Sequence, residues 1–194
     1  MNNPFRIALA ALSLALAGCQ AEPAEPPLAG AAIGGPFTLT DQDGRSVSDT
    51  QFAGRYRMIY FGYTYCPDVC PTSLQHLIQG LKKFDAQAPE LAAKIQPIFI
   101  TVDPARDTPA VMKQYVAAFD PRLIGLTGSE EQIAAVTKRF GVYYKRDEKG
   151  GSSDYLVDHM SQALLFGPEG QPIALLPQEQ NGDAIAAELA QWVR

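Results

Sequence analysis

The sequence is poor in residues that bind soft metals or carry redox chemistry: 194 residues hold three cysteines, two histidines and one tryptophan. Any site built from cysteine and histidine must therefore use most of that stock. Positive charge is also scarce, with 16 Lys and Arg against 21 Asp and Glu and a net charge of -5. Without clustered basic residues the chain lacks the electrostatic footprint needed to grip a phosphate backbone, which excludes nucleic acid as a first partner. The apolar run from Ile7 to Ala17 falls short of the roughly 20 residues that span a bilayer. No internal repeat of useful period is present. What remains is a chain of single-domain length, 46% apolar, with enough material for a full hydrophobic core.

The first residues fit an export signal. Arg6 supplies a short basic region, the apolar run follows, and Leu16-Ala17-Gly18-Cys19 closes it. That tetrapeptide resembles a bacterial lipoprotein cleavage site. The resemblance implies that residues 1–18 are a removed signal peptide and that Cys19 becomes the lipidated first residue, tying the protein to a membrane. An ordinary signal peptide with a cysteine nearby is the alternative. Residues 19–33 carry Pro23, Pro26 and Pro27, lack hydrophobic periodicity and read as an extended tether with a reach of up to roughly 40 Å.

From Gly34 to Arg194 strand and helix signals alternate. Phe37 to Thr40 and the stretch after Arg45 flank Asp43-Gly44, a hairpin signal. Met58 to Phe61 and Ile95 to Val102 are apolar runs without polar alternation, as expected for strands covered on both faces. Leu74, Leu77, Ile78, Leu81 and Phe84 recur at helical spacing. Thr108-Pro109 predicts a helix start, and Ser129 with Gln132 predicts a capped helix closed by Gly141. Ala163 to Phe166 and Ile173 to Leu176 flank a Gly-Pro-Glu-Gly turn and predict a second hairpin. Asp183 then opens a last helix reaching Val193. This order predicts an α/β domain of thioredoxin-like arrangement: a central mixed sheet with an antiparallel C-terminal hairpin and helices on both faces.

Chemistry concentrates in Tyr63-Thr64-Tyr65-Cys66-Pro67-Asp68-Val69-Cys70-Pro71, between the first parallel strand and the first long helix. Ligands in open α/β sheets bind outside the carboxyl ends of strands, which is where this loop falls. A helix running from Cys66 would place Pro71 where it can neither donate to Pro67 nor avoid its carbonyl, so the regular helix is expected to begin near Pro71. Both cysteines then lie at a helix N-terminus, whose free amides and dipole lower a thiol pKa. A lowered pKa favours metal binding and disulfide exchange alike, so this geometry does not choose between them. The bland alternative is a structural disulfide, which in so small a loop restrains the unfolded chain little.

The histidines differ in setting. His76 falls away from the apolar stripe of its helix, beside Gln79 and Lys83, and reads as a solvated surface residue. His159 follows Asp158 in a loop entering the second hairpin. A loop histidine alone is more often structural than a ligand, but beside two thiols lacking a third donor it becomes the favoured one.

Three separated motifs, Phe61 to Pro71, Thr101 to Pro109 and Asp158-His159, resemble the Sco/SenC family of membrane-anchored, thioredoxin-like copper proteins that assist cytochrome c oxidase assembly. The resemblance covers nearly all of residues 34 to 180. It implies that Cys66, Cys70 and His159 bind copper, as Cu(I) or Cu(II), and that Cys66 and Cys70 cycle between dithiol and disulfide. It further implies a copper-site subunit of the oxidase as partner, together with other periplasmic copper chaperones or thiol reductants. The leading reading is a metallochaperone for the dinuclear copper site, the runner-up a thiol-disulfide oxidoreductase acting on the same partners, and a copper or redox sensor is a third. Asp158 is a candidate for orienting the imidazole, set against a plain surface carboxylate. Asp103 either tunes the thiols or a partner contact, or simply ends its strand with Pro104. Arg106 and Asp107 are expected to form an ion pair or a helix cap. Tyr63 and Tyr65 are expected to wall the motif.

Overall fold

A computed structural model describes residues 24–147 and 155–194. The signal peptide expected at 1–18 and the lipidated Cys19 lie outside the described residues. In chain order the strands and helices are β1 (Thr38–Asp41), β2 (Ser46–Ser48), β3 (Tyr56–Gly62), α1 (Val69–Gln87), α2 (Pro89–Ala92), β4 (Ile95–Thr101), α3 (Pro109–Ala117) and β5 (Ile124–Thr127). They continue with α4 (Glu130–Phe140), β6 (Tyr144–Arg146), β7 (Val157–His159), β8 (Ala163–Phe166), β9 (Pro172–Leu176) and α5 (Gly182–Trp192).

Seven strands form one mixed sheet in the order β2-β1-β5-β4-β3-β8-β9. The centre is parallel, with β3 pairing β4 and β4 pairing β5, while β1 and β8 flank it antiparallel. This is the expected thioredoxin-like arrangement. β3 and β4 are buried along their whole length, which explains why neither alternates in sequence.

Register decides which face each helix covers. Tyr60 pairs with Phe99 across β3 and β4 and stacks on it, and Phe99 meets Tyr115 of α3 at 5.2 Å between ring centroids. Phe61, one residue on, points to the opposite face and meets Phe140 of α4 at 5.6 Å. Helices therefore cover both faces. α5 packs on α1 where Gly80 and Gly182 allow close approach: a Cβ at Gly80 would stand 2.4 Å from Ile185. Among the described residues no helix is long and apolar enough to cross a membrane.

The predicted capping holds: Ser129 and Gln132 make a reciprocal capping box, Gly141 closes α4 at φ 68°, and Thr108 caps α3. Several details differ from expectation. α1 begins at Val69, two residues ahead of Pro71, because first-turn amides have no intrahelical acceptor and a proline there costs no bond. β5 was not expected from the sequence, nor was the separate two-stranded ladder of β6 and β7. Packing also begins before Gly34. The Leu28 amide donates to the Ile173 carbonyl at 2.9 Å, and Leu28 and Ile33 lie against the core, so residues 28–33 dock on the domain instead of forming part of a free tether.

Candidate metal centre

The loop after β3 carries Cys66, and the first turn of α1 carries Cys70. Gly62 at the end of β3 makes room for the second sulfur: a Cβ there would lie 3.0 Å from Cys70 Sγ. The Cys70 amide, one of the unpaired donors of the helix N-terminus, donates to Cys66 Sγ at 3.4 Å. Both thiols are free, Cys70 buried and Cys66 half-buried. Cys66 thus offers the accessible sulfur and Cys70 the enclosed one.

His159 ends β7 and brings its ring to the same place. Its Nε2 lies 3.2 Å from Cys70 Sγ, and its Nδ1 lies 3.0 Å from the Met160 carbonyl. A carbonyl only accepts, so Nδ1 carries the proton and the Nε2 lone pair faces the sulfurs. Tyr63 packs edge-on to the imidazole with centroids 5.8 Å apart, and its hydroxyl accepts from the Val157 amide at 3.3 Å. The ligating atoms of Cys66, Cys70 and His159 all lie within 4.8 Å of one another, the one such group of three or more among the described residues.

Burial sets the electrostatics. It pushes the Cys70 thiol far above its ordinary value of 9.0, outweighing the backbone hydrogen bond that acts the other way. The thiolate-stabilising effect expected of the helix N-terminus is therefore overridden at Cys70, because desolvation of a charge exceeds one dipole contact. Burial likewise lowers the His159 pKa below 6.5, against the opposing pull of the Met160 hydrogen bond and the Asp158 charge. The ring is neutral at pH 7 and able to ligate. Asp158 itself is exposed, and Met160 supplies the orienting bond expected of it.

The TVDPARDT segment has a different arrangement from the one expected. Asp103 is fully buried and accepts from Arg106 Nε at 2.5 Å and from the Tyr155 hydroxyl at 2.6 Å. Arg106 pairs with Asp103, not with Asp107. Asp107, also fully buried, accepts from the Thr64 amide at 3.0 Å, the Thr64 hydroxyl at 2.6 Å and the Thr101 hydroxyl at 2.6 Å, pinning the cysteine loop to β4. Tyr63 is buried as a wall, whereas Tyr65 is 53% exposed, under the Arg106 guanidinium. His76 is half-buried, not solvated: its Nδ1 donates to the Gln178 carbonyl at 3.0 Å. The Gln178 side chain in turn donates to the Ser161 carbonyl at 2.7 Å, bracing the segment after His159.

Similarity to known proteins follows this geometry. The SCO1/SenC family model matches residues 25–194. The chain is 39% identical to the mitochondrial SCO1 homologue of Homo sapiens over 164 residues, covering 84% of this chain and 53% of that protein. It spans about half the length of the curated relatives it matches. Bradyrhizobium japonicum ScoI, solved with copper bound, is 41% identical with a TM-score of 0.75, covering 84% of this chain and 100% of that one. BsSco, a member of the Sco family of cytochrome c oxidase assembly proteins in which a disulfide switch was identified, shares the fold at 24% identity and a TM-score of 0.68, covering 87% and 97%.

Proposed function

Because the chain belongs to the SCO1/SenC family, we propose that it is a copper metallochaperone supplying the dinuclear copper site of cytochrome c oxidase. One observation carries the reading: Cys66, Cys70 and His159 converge within 4.8 Å. Soft thiolates select Cu(I), and imidazole serves either copper oxidation state. Three protein donors leave an open side through which a partner's ligand can attack, unlike a closed four-ligand structural zinc site. Copper is cargo here, held by Cys66 and Cys70 as thiolates and by His159 Nε2. Lipid at Cys19 anchors the chain to the cell envelope with the domain in the periplasm, near the oxidase and the chaperones that load it.

The half-exposed Cys66 beside a buried Cys70 supports a second reading, reduction of the partner's copper-site disulfide. The Cys66 thiolate attacks one partner sulfur and releases the other as a thiol. Cys70 then displaces the partner from the mixed disulfide, leaving Cys66 and Cys70 oxidised and the partner carrying two thiols.

Copper-loaded protein mixed with the reduced, metal-free copper-site domain of the oxidase distinguishes the two. The chaperone reading expects copper to move from this protein to the oxidase domain, read as the metal content of each after they are separated. Copper staying put, while copper-free dithiol protein reduces the oxidised domain, would transfer the assignment to the oxidoreductase.

A further inference from the structure

We propose that Arg106 is a positioning residue that latches the His159-bearing arm onto the cysteine loop and so sets how firmly His159 holds the metal; this rests on Cys66, Cys70 and His159 being the copper ligands. The arm needs a latch. β6 and β7 form a ladder apart from the main sheet, and a lone two-stranded ladder is marginal in water. Its described ties to the body include Val157 buried in the core, Tyr144 and Tyr155 packed against that core, the pairing of Arg146 with Glu130 of α4, and the contacts of Arg106.

Arg106 makes the most varied of them. Its guanidinium carbon lies 3.7 Å from the Tyr155 ring centroid on the arm and 4.8 Å from the Tyr65 ring centroid on the cysteine loop. One terminal nitrogen donates to the Tyr155 carbonyl at 2.9 Å. Asp103 fixes the plane of the group, accepting from Arg106 Nε through one oxygen and from the Tyr155 hydroxyl through the other. Arg146 of β6 adds a longer contact to Asp103 at 3.6 Å. A flat, forked cation is needed for stacking and donation at once, and a lysine cannot do both.

Tyr155 stands four residues before His159, just ahead of β7, the strand that presents the imidazole. With the latch closed, Tyr155 pins the start of that strand, the Tyr63 hydroxyl holds Val157, and Nε2 meets the sulfurs. Without it, the ligating position is occupied for a smaller fraction of the time, and apparent affinity falls by that fraction. Exposed Tyr65 is the part of the stack open to solvent.

The test compares the full wild-type chain with Asp103→Asn/Arg106→Met, Tyr65→Ala and His159→Ala. The double substitution removes both charges, so no buried carboxylate is left uncompensated. In copper-free protein, amide exchange at Val157 and Met160 is expected to accelerate in the double variant and, less strongly, in Tyr65→Ala. In copper-loaded protein the same variants are expected to lose or weaken the nitrogen hyperfine coupling of Cu(II) and to give up Cu(I) to bathocuproine roughly 10- to 100-fold faster, the range typical of residues supporting a metal ligand. Adding His159→Ala to the double variant should accelerate release less than it does in wild type. Wild-type amide exchange and nitrogen coupling in the double variant would overturn the latch. If that variant does not fold, wild-type behaviour of Tyr65→Ala would overturn it instead. A wild-type chain that takes up no copper defeats the copper reading, while amide exchange still decides the latch.

Discussion

His159 Nε2 lies 3.2 Å from Cys70 Sγ, across 89 residues of chain. The imidazole donates its other nitrogen to a backbone carbonyl, so the contact presents a lone pair to a buried thiol. Copper entering between them replaces a proton on sulfur.

That replacement fixes the pH dependence. Burial raises the Cys70 pKa, so the free site keeps this proton through the neutral range and must release it on binding. Apparent Cu(I) affinity should therefore rise by at least tenfold per pH unit from about pH 6.5 to 8.5, one power of ten for each proton displaced. His159 adds little steepness in that window, because burial lowers its pKa and favours the neutral ring. Chelator competition across the range checks this, and an affinity independent of pH would contradict it.

Gly62 is predicted to be intolerant of even one methyl. A Cβ there would meet Cys70 Sγ and Phe99 at 3.0 Å and Tyr60 at 3.2 Å, all within a packed core. Gly62→Ala should cost about 1–3 kcal/mol by overpacking and displace Cys70, lowering copper affinity as well. Urea unfolding of the copper-free chain and a copper titration measure the two effects separately.

Thr64 and Thr101 both donate to buried Asp107, but only Thr64 lies on the cysteine loop. Removing either hydroxyl with valine should cost about 1.5–3 kcal/mol, the worth of a hydrogen bond to a charged group. Thr64→Val should also weaken copper binding; the Thr101 hydroxyl additionally accepts from the Asp103 amide at 2.9 Å, so Thr101→Val should cost more stability and weaken copper binding less. Equal copper affinities for the two variants would separate Asp107 from the site.

Membrane attachment is predicted to depend on the Cys19 thiol, which lies outside the described residues. Labelled fatty acid should enter the full-length protein and be absent from Cys19→Ser, which should accumulate free of membranes. A full-length chain without label removes the lipid anchor.

Much of the site was legible because its chemistry uses rare residues. With three cysteines and two histidines in the chain, Cys66, Cys70 and His159 left almost no competing set. Capping was legible at Ser129, Gln132 and Gly141 because it is a local pattern. What escaped depends on long-range contacts. β5 is four residues long and draws its stability from β4 and β1 on either side, and β6 reads Tyr-Lys-Arg with no apolar periodicity. The orienting partner of His159 is a backbone carbonyl, which carries no side-chain signature. Arg106 looked paired with its neighbour Asp107, yet the turn after β4 directs it to Asp103, three residues back. The thiol pKa was read from the helix end alone, and only the packed fold revealed the burial that outweighs it.

The most direct test is anaerobic Cu(I) titration of the reduced full chain beside Cys66→Ser and His159→Ala. Wild type should bind one copper tightly, Cys66→Ser should lose that site, and His159→Ala should weaken it by at least the roughly 10- to 100-fold seen for residues that merely support a ligand. Wild-type affinity in His159→Ala would show that the histidine is not a ligand and contradict the three-donor site.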